Sequence, residues 1–269
     1  MKKLLGLLVA ALVAFPASAT VLKNVETKGE IQVIASDVKN DVNKIYNHGA
    51  TARVLAGLKA DLVEDVTANL MFQYANGWGN DNATGRTVQE YWNNVRLVEG
   101  NVVLHNLFCC LEATVGRQFY GDENSAVMYF GPNHYNAEYN WLARSLDAAK
   151  VTYGDDFKTF TVIAGRVNRT HTGIYSTDIY SMYGADLKLN LTDNLTAQVY
   201  GYDFRDVEDV DADKDLGFYG AKVALDGAVR VAGEYARNFG GDRLIKEHND
   251  TGHMAKVDVA FDVPRRFHA

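Results

Sequence analysis

The chain has 269 residues, with 27 Lys and Arg against 34 Asp and Glu and a formal net charge of −7. An acidic balance without any Lys/Arg cluster along the sequence disfavours nucleic-acid binding, so no nucleic-acid partner is expected. The two cysteines, Cys109 and Cys110, are adjacent. No spaced Cys/His set exists to hold a structural zinc, and neighbouring Cα atoms, about 3.8 Å apart, fall below the usual disulfide range. Two free thiols in a turn are expected there.

At the N-terminus, Lys2 and Lys3 precede an apolar run over residues 4–15, then Pro16 and the small-residue pattern Ala17-Ser18-Ala19. This is the three-part pattern of a secretory signal peptide. A run of about a dozen apolar residues is too short to cross a bilayer as a helix, which needs roughly 20. Cleavage after Ala19 leaves residues 20–269 as the working domain. Without Lys2 and Lys3, 25 basic residues face 34 acidic ones, a net charge near −9.

Beyond Thr20 no apolar run is long enough for a transmembrane helix. Instead, segments of about ten residues alternate with a period of two. Val54, Ala56, Leu58, Ala60 and Leu62 alternate with Arg53, Leu55, Gly57, Lys59 and Asp61. After a tight turn at Val63-Glu64-Asp65, residues 66–75 continue in the same way. Tyr183, Ala185, Leu187 and Leu189 oppose Gly184, Asp186, Lys188 and Asn190, and past Thr192-Asp193-Asn194 the alternation resumes at Leu195. Tyr219 to Leu225 and Val229 to Tyr235 flank Asp226-Gly227, and Ala255, Val257, Val259 and Phe261 close the series. Short turns alternate with long polar stretches at residues 37–49, 77–87, 120–144, 168–177, 203–215 and 240–252. That asymmetry belongs to a transmembrane antiparallel β-barrel of about twelve strands, with short turns on one side of the membrane and longer loops on the other. Tyr74, Tyr153, Tyr202, Tyr235, Phe204 and Phe239 stand near strand ends beside the long loops, where an aromatic girdle would face the membrane.

One stretch points to a family. Residues 98–108 (Val-Glu-Gly-Asn-Val-Val-Leu-His-Asn-Leu-Phe), Thr114-Val115-Gly116-Arg117-Gln118, Tyr120-Gly121-Asp122 and Tyr129-Phe130-Gly131-Pro132 together resemble the alginate-export-like group of bacterial porins. In that group a strand ends in a Lys-Asn-Leu-Phe type of turn, and the return strand carries Val-Gly-Arg-Gln before a long loop starting with Gly-Asp. The resemblance implies an outer-membrane porin giving passive diffusion of small hydrophilic solutes. Here His105 stands where lysine is common, and Cys109-Cys110 replaces a Gly/Pro type of turn. Members of the group are also longer, with more strands. The chain is therefore read either as a complete barrel or as part of a larger one. In a complete barrel the strand at residues 252–263 would close against residues 29–36, because an open edge in lipid leaves backbone groups unsatisfied. Pro264 and two arginines follow it at once, and the aromatic residue that usually ends such a barrel is lacking.

With the small apolar face turned to lipid, the opposite face would line a lumen through Arg53, Lys59, Asp61, Asp147, Lys150, Asp186, Lys188, Lys222, Arg230, Glu234, Lys256 and Asp258. Charge is tolerated there because water solvates it, whereas on the lipid side near the midplane it costs about 2–4 kcal/mol. Arg117 and Arg166 break this rule, since alternation puts them on the apolar face. Either they lie at the rim or a bulge at Gly116 or Gly165 turns them inward. Residues 120–144 carry Tyr129, Phe130, His134, Tyr135, Tyr139 and Trp141, which would line a constriction if the loop folds into the lumen.

No Gly-x-Ser-x-Gly elbow, His-Glu-x-x-His helix or phosphate loop occurs, so no enzyme is expected. His134, His171, Ser125 and Asp178 would be the residues of an outer-membrane hydrolase, the least favoured reading. A non-conducting structural or adhesive barrel is the main alternative. Asp211-x-Asp213-x-Asp215 imitates the start of a calcium loop, but Leu216 stands where the turn needs Gly and Lys222 where the closing Glu belongs. No metal and no cofactor are expected. The expected partners are outer-membrane lipid and small hydrophilic solutes, with a homo-oligomer left open.

Overall fold

The computed structural model describes residues 22–40, 45–78, 95–108, 110–125, 127–132, 143–168, 179–206, 216–240 and 252–261. The expected signal peptide, residues 1–19, lies outside them, as do Cys109 and the Asp211 to Asp215 motif. The chain is all-β: β1 Lys23–Asn40, β2 Ile45–Val63, β3 Val66–Trp78, β4 Arg96–Leu107, β5 Leu111–Gln118, β6 Tyr120–Gly121, β7 Tyr129–Phe130, β8 Leu146–Gly154, β9 Lys158–Asn168, β10 Ile179–Thr192, β11 Leu195–Asp206, β12 Leu216–Leu225, β13 Val229–Gly240 and β14 His253–Phe261. Twelve strands form one sheet in chain order, while β6 and β7 pair only with each other as a small hairpin between β5 and β8. Every ladder is antiparallel.

The hairpins form where alternation meets turn chemistry. Asp65 takes the left-handed conformation, φ 62°, which Asp tolerates better than most residues, in a turn flanked by a register shift between Asp61 and Val63. One expected loop is largely strand instead. Residues 37–40 pair with residues 45–48, from Asp37 opposite His48 to Asn40 opposite Ile45.

Large apolar side chains are exposed on one face of the sheet: Ile31 at 75 %, Val257 at 73 % and Val115 at 54 % are examples from its two edges and its middle. The packed side chains lie on the other face, around Leu146, Ile163, Met182, Tyr200 and Tyr202. A water-soluble sheet would bury its apolar face, whereas this one leaves it exposed.

The sheet is curled around the segment after β5. Ala143 N–H donates to Gln73 Oε1 of β3 at 2.6 Å, Arg144 N–H to the Gly131 carbonyl at 3.2 Å, and Lys256 Nζ of β14 to the Asn124 carbonyl at 2.7 Å. In a flat sheet β3 and β14 would stand nine strand steps apart, about 43 Å at roughly 4.8 Å per step. Seven fully extended residues between Asn124 and Gly131 would reach only about 25 Å, and the β6–β7 hairpin folds them back. β1 and β14 end the sheet order, and among the described residues no ladder joins them. The pairing expected for a closed twelve-strand barrel is therefore not seen in those residues.

Candidate functional site

The inward face assembles from alternate residues of neighbouring strands. On β10 to β14, Lys188, Gln198, Lys222, Glu234 and Lys256 stand opposite one another in register and form a row across the wall. Arg53, Lys59 and Asp61 lie on the inward side of β2. Arg53 is 1 % exposed and donates from Nη2 to Glu30 at 2.7 Å, while Lys59 faces Glu26 at 3.7 Å. Asp61 accepts from Asn24 at 2.7 Å and from Thr67 at 2.8 Å. Thr67 also meets His105, whose other ring nitrogen lies 3.0 Å from Glu112, so a polar network occupies the short-turn end of β2 to β5.

The segment after β5 is pinned to this face at four points. Tyr120 donates to Asp186 at 2.7 Å, Ser125 donates to Glu234 at 2.9 Å, Lys222 pairs with Asp122, and Lys256 reaches the Asn124 carbonyl. Tyr200 also donates to Glu234, at 2.6 Å, and Lys256 lies 3.0 Å from Asp258. Met128 is buried against Leu146, Ile163 and Met182. The Tyr200 and Tyr202 rings stack at 5.5 Å, and Tyr120 meets Tyr202 edge-on at 6.1 Å. Both stacked tyrosines lie over glycines of neighbouring strands, Tyr202 over Gly184 and Tyr200 over Gly220, where a Cβ would collide with the ring.

Within the hairpin, loss of water works against the charge of Asp122. The Lys222 ammonium and the Asn124 N–H outweigh that loss and hold the carboxyl below its ordinary value. Desolvation, with Glu123 adding to it, pushes the Tyr129 phenol up to about 12. The phenol stays neutral and donates to the Pro132 carbonyl at 2.6 Å.

Between the hairpin and the wall is a cavity of about 950 Å³. Lys150, Thr152, Thr161, Asp186, Lys188, Thr196, Gln198, Lys222, Arg230, Glu234 and Asp258 line it, with Tyr120, Tyr129 and Phe130 from the hairpin. Lys150 and Lys188 make no hydrogen bond or ion pair among the described residues. Such a lining offers charge, hydroxyls and aromatic faces to a hydrated solute. Tyr129 and Phe130 form β7, while His134, Tyr135, Tyr139 and Trp141 lie outside the described residues.

The expectations for Asp147 and for part of the aromatic girdle need correction, and the alternatives open for Arg117 are decided. Asp147 is not on the inward face. It lies three residues from Lys150, and an odd spacing puts two residues of a strand on opposite sides. Its carboxylate receives Arg117 Nε at 2.8 Å and Nη2 at 2.7 Å, and Arg166 stands opposite it in register. Arg117 keeps the phase of Val115 although Gly116 has φ 122°, so no bulge turns it inward. Tyr202 and Phe204 are not girdle residues. They share the parity of Gln198 and Tyr200 and pack inward, whereas Tyr235 and Phe239 are exposed on the outer face. Tyr153 does face outward, but it stands beside the short turn at residues 155–157.

Ser125 is engaged with Glu234, and His134, His171 and Asp178 lie outside the described residues. Among the described residues no group of three or more His, Cys, Asp or Glu could hold a metal ion. Cys110 is a free, exposed thiol.

No family model matches the chain, and no curated protein matches it. Solved structures do. Against OmpF of Salmonella typhi, solved in complex with daunomycin, identity is 12 %, with 87 % of this chain and 84 % of that chain covered and a TM-score of 0.44. Against OprB of Pseudomonas putida identity is 13 %, coverage 80 % and 65 %, and the TM-score 0.48. Against OccK5 of Pseudomonas aeruginosa identity is 14 %, coverage 91 % and 64 %, and the TM-score 0.49. The chain thus spans just under two thirds of the length of the two Pseudomonas proteins.

Proposed function

We propose that the chain acts in the outer membrane as a channel for passive diffusion of small hydrophilic solutes, with the β6–β7 hairpin narrowing the passage. The observation that carries this reading is the inversion of the faces: apolar side chains outward, charged and hydroxyl side chains inward around a large cavity. The inward residues Arg53, Lys59, Asp61, Lys150, Asp186, Lys188, Lys222, Arg230, Glu234, Lys256 and Asp258 are the proposed lining. Tyr129 and Phe130 are the proposed constriction residues. The resemblance of β4 and β5 to the alginate-export-like porins makes that group the preferred family. Planar bilayers decide the matter. Refolded protein should give stepwise conductance, and Lys222→Met, which releases Asp122, should enlarge or destabilise the steps. The many tethers of the hairpin favour one alternative, a structural barrel with a plugged lumen. Insertion without any conductance, in wild type and Lys222→Met alike, would establish that alternative.

A further inference from the structure

The outward face of β5, β8, β9, β10 and β11 carries a charged row at its long-loop end. Arg117 stands opposite Asp147, Asp147 opposite Arg166, Arg166 opposite Ser181, and Ser181 opposite Arg205. Four strand steps at roughly 4.8 Å make the row about 19 Å wide. Its two ends are held in place. Arg117 grips Asp147 with two nitrogens and donates from Nη1 to the Leu97 carbonyl at 3.2 Å. Arg205 donates to Asp203 at 2.8 Å and lies 5.7 Å from the centre of the Tyr183 ring. Arg166 between them is exposed and makes no hydrogen bond or ion pair among the described residues.

Immediately towards the short-turn end, the same strands expose Val115, Val151, Val162, Phe160 and Val199. The boundary between that apolar belt and the row is where acyl chains would end and headgroups begin. An arginine at that depth without an anion is only weakly solvated, and the planar guanidinium matches a phosphate with paired N–H donors. Among the described residues, three arginines stand against two aspartates in this patch, on a chain whose formal net charge is −7.

We propose that this row binds the phosphate of a phosphorylated glycolipid in the outer leaflet, with Arg166 as the primary contact and Val115, Val151, Phe160 and Val162 receiving its acyl chains. The site rests on the outer-membrane reading above but not on conduction. The test uses the refolded full chain in phosphatidylcholine vesicles, titrated with fluorescent diphosphoryl lipid A and, separately, with the same lipid stripped of its phosphates. The phosphorylated lipid should bind and the stripped lipid should not. Arg166→Gln should weaken binding about tenfold, the size expected for one charged hydrogen bond, with Arg166→Lys between the two and planar-bilayer conductance unchanged in both variants. Equal binding by wild type and Arg166→Gln, or equal binding of both lipids, overturns the proposal. Failure of the chain to insert into vesicles overturns the membrane reading and the proposal with it.

Discussion

Asp122 holds its charge because Lys222 and the Asn124 amide outweigh the water it loses inside the hairpin. A carboxyl whose docked value is depressed contributes to docking above its ordinary value, near 4. That contribution fades as pH falls through the lower docked value. The hairpin should therefore be steady at neutral pH and loosen only in strong acid, seen as noisier or larger conductance steps below about pH 4. Asp122→Asn should show the loosened behaviour at neutral pH and lose the acid dependence. An acid response that persists in Asp122→Asn would place the switch on another group. The same scale explains the misreading of Asp147. Its phase was hidden because the loop before β8 gives no alternation to count from, yet parity with Lys150 was enough to move it. Once it faces outward, the awkward positions of Arg117 and Arg166 become one charged row at the rim.

Gly116 shows what a single element tolerates. Its φ of 122° lies where L side chains rarely sit, and a Cβ there would run into the Gly100 carbonyl and the Asn101 backbone of β4. Gly116→Val should destabilise the β4–β5 ladder by roughly 2 kcal/mol or more, through backbone strain and overpacking. Urea titration of the refolded chain, followed by its β-sheet circular dichroism, measures the loss. A change under about 0.5 kcal/mol would mean that β4 gives way freely at this point. Most strands were legible from alternation alone, since a period of two fixes both the element and the side it shows. Residues 37–40 and 45–48 were not, because polarity says loop only where a strand has one dry face. Tyr202 was misassigned for a related reason. Nearness to a strand end suggests a girdle, but parity with Gln198 sends the ring inward over Gly184.

At the scale of the whole molecule, the inverted faces and the curled meander were readable from rhythm. The four tethers of the hairpin were not. Tyr120 meets Asp186 across 66 residues, Asp122 meets Lys222 across 100, Ser125 meets Glu234 across 109, and Lys256 meets Asn124 across 132. Nothing local in the sequence announces such partners. Every strand of the large sheet, by contrast, pairs with the strand next to it in order along the chain.

That contrast sets an order of assembly. Neighbouring hairpins close short loops early, whereas ordering a segment against partners a hundred residues away waits until the wall that carries them has formed. Refolding into lipid should therefore show two clocks. Far-ultraviolet β signal should rise first, and protection of the Tyr120 and Ser125 amides from hydrogen exchange should lag behind it. Lys222→Met should slow or abolish the second process and leave the first unchanged, while simultaneous appearance of both signals would mean that the hairpin guides the wall instead of following it.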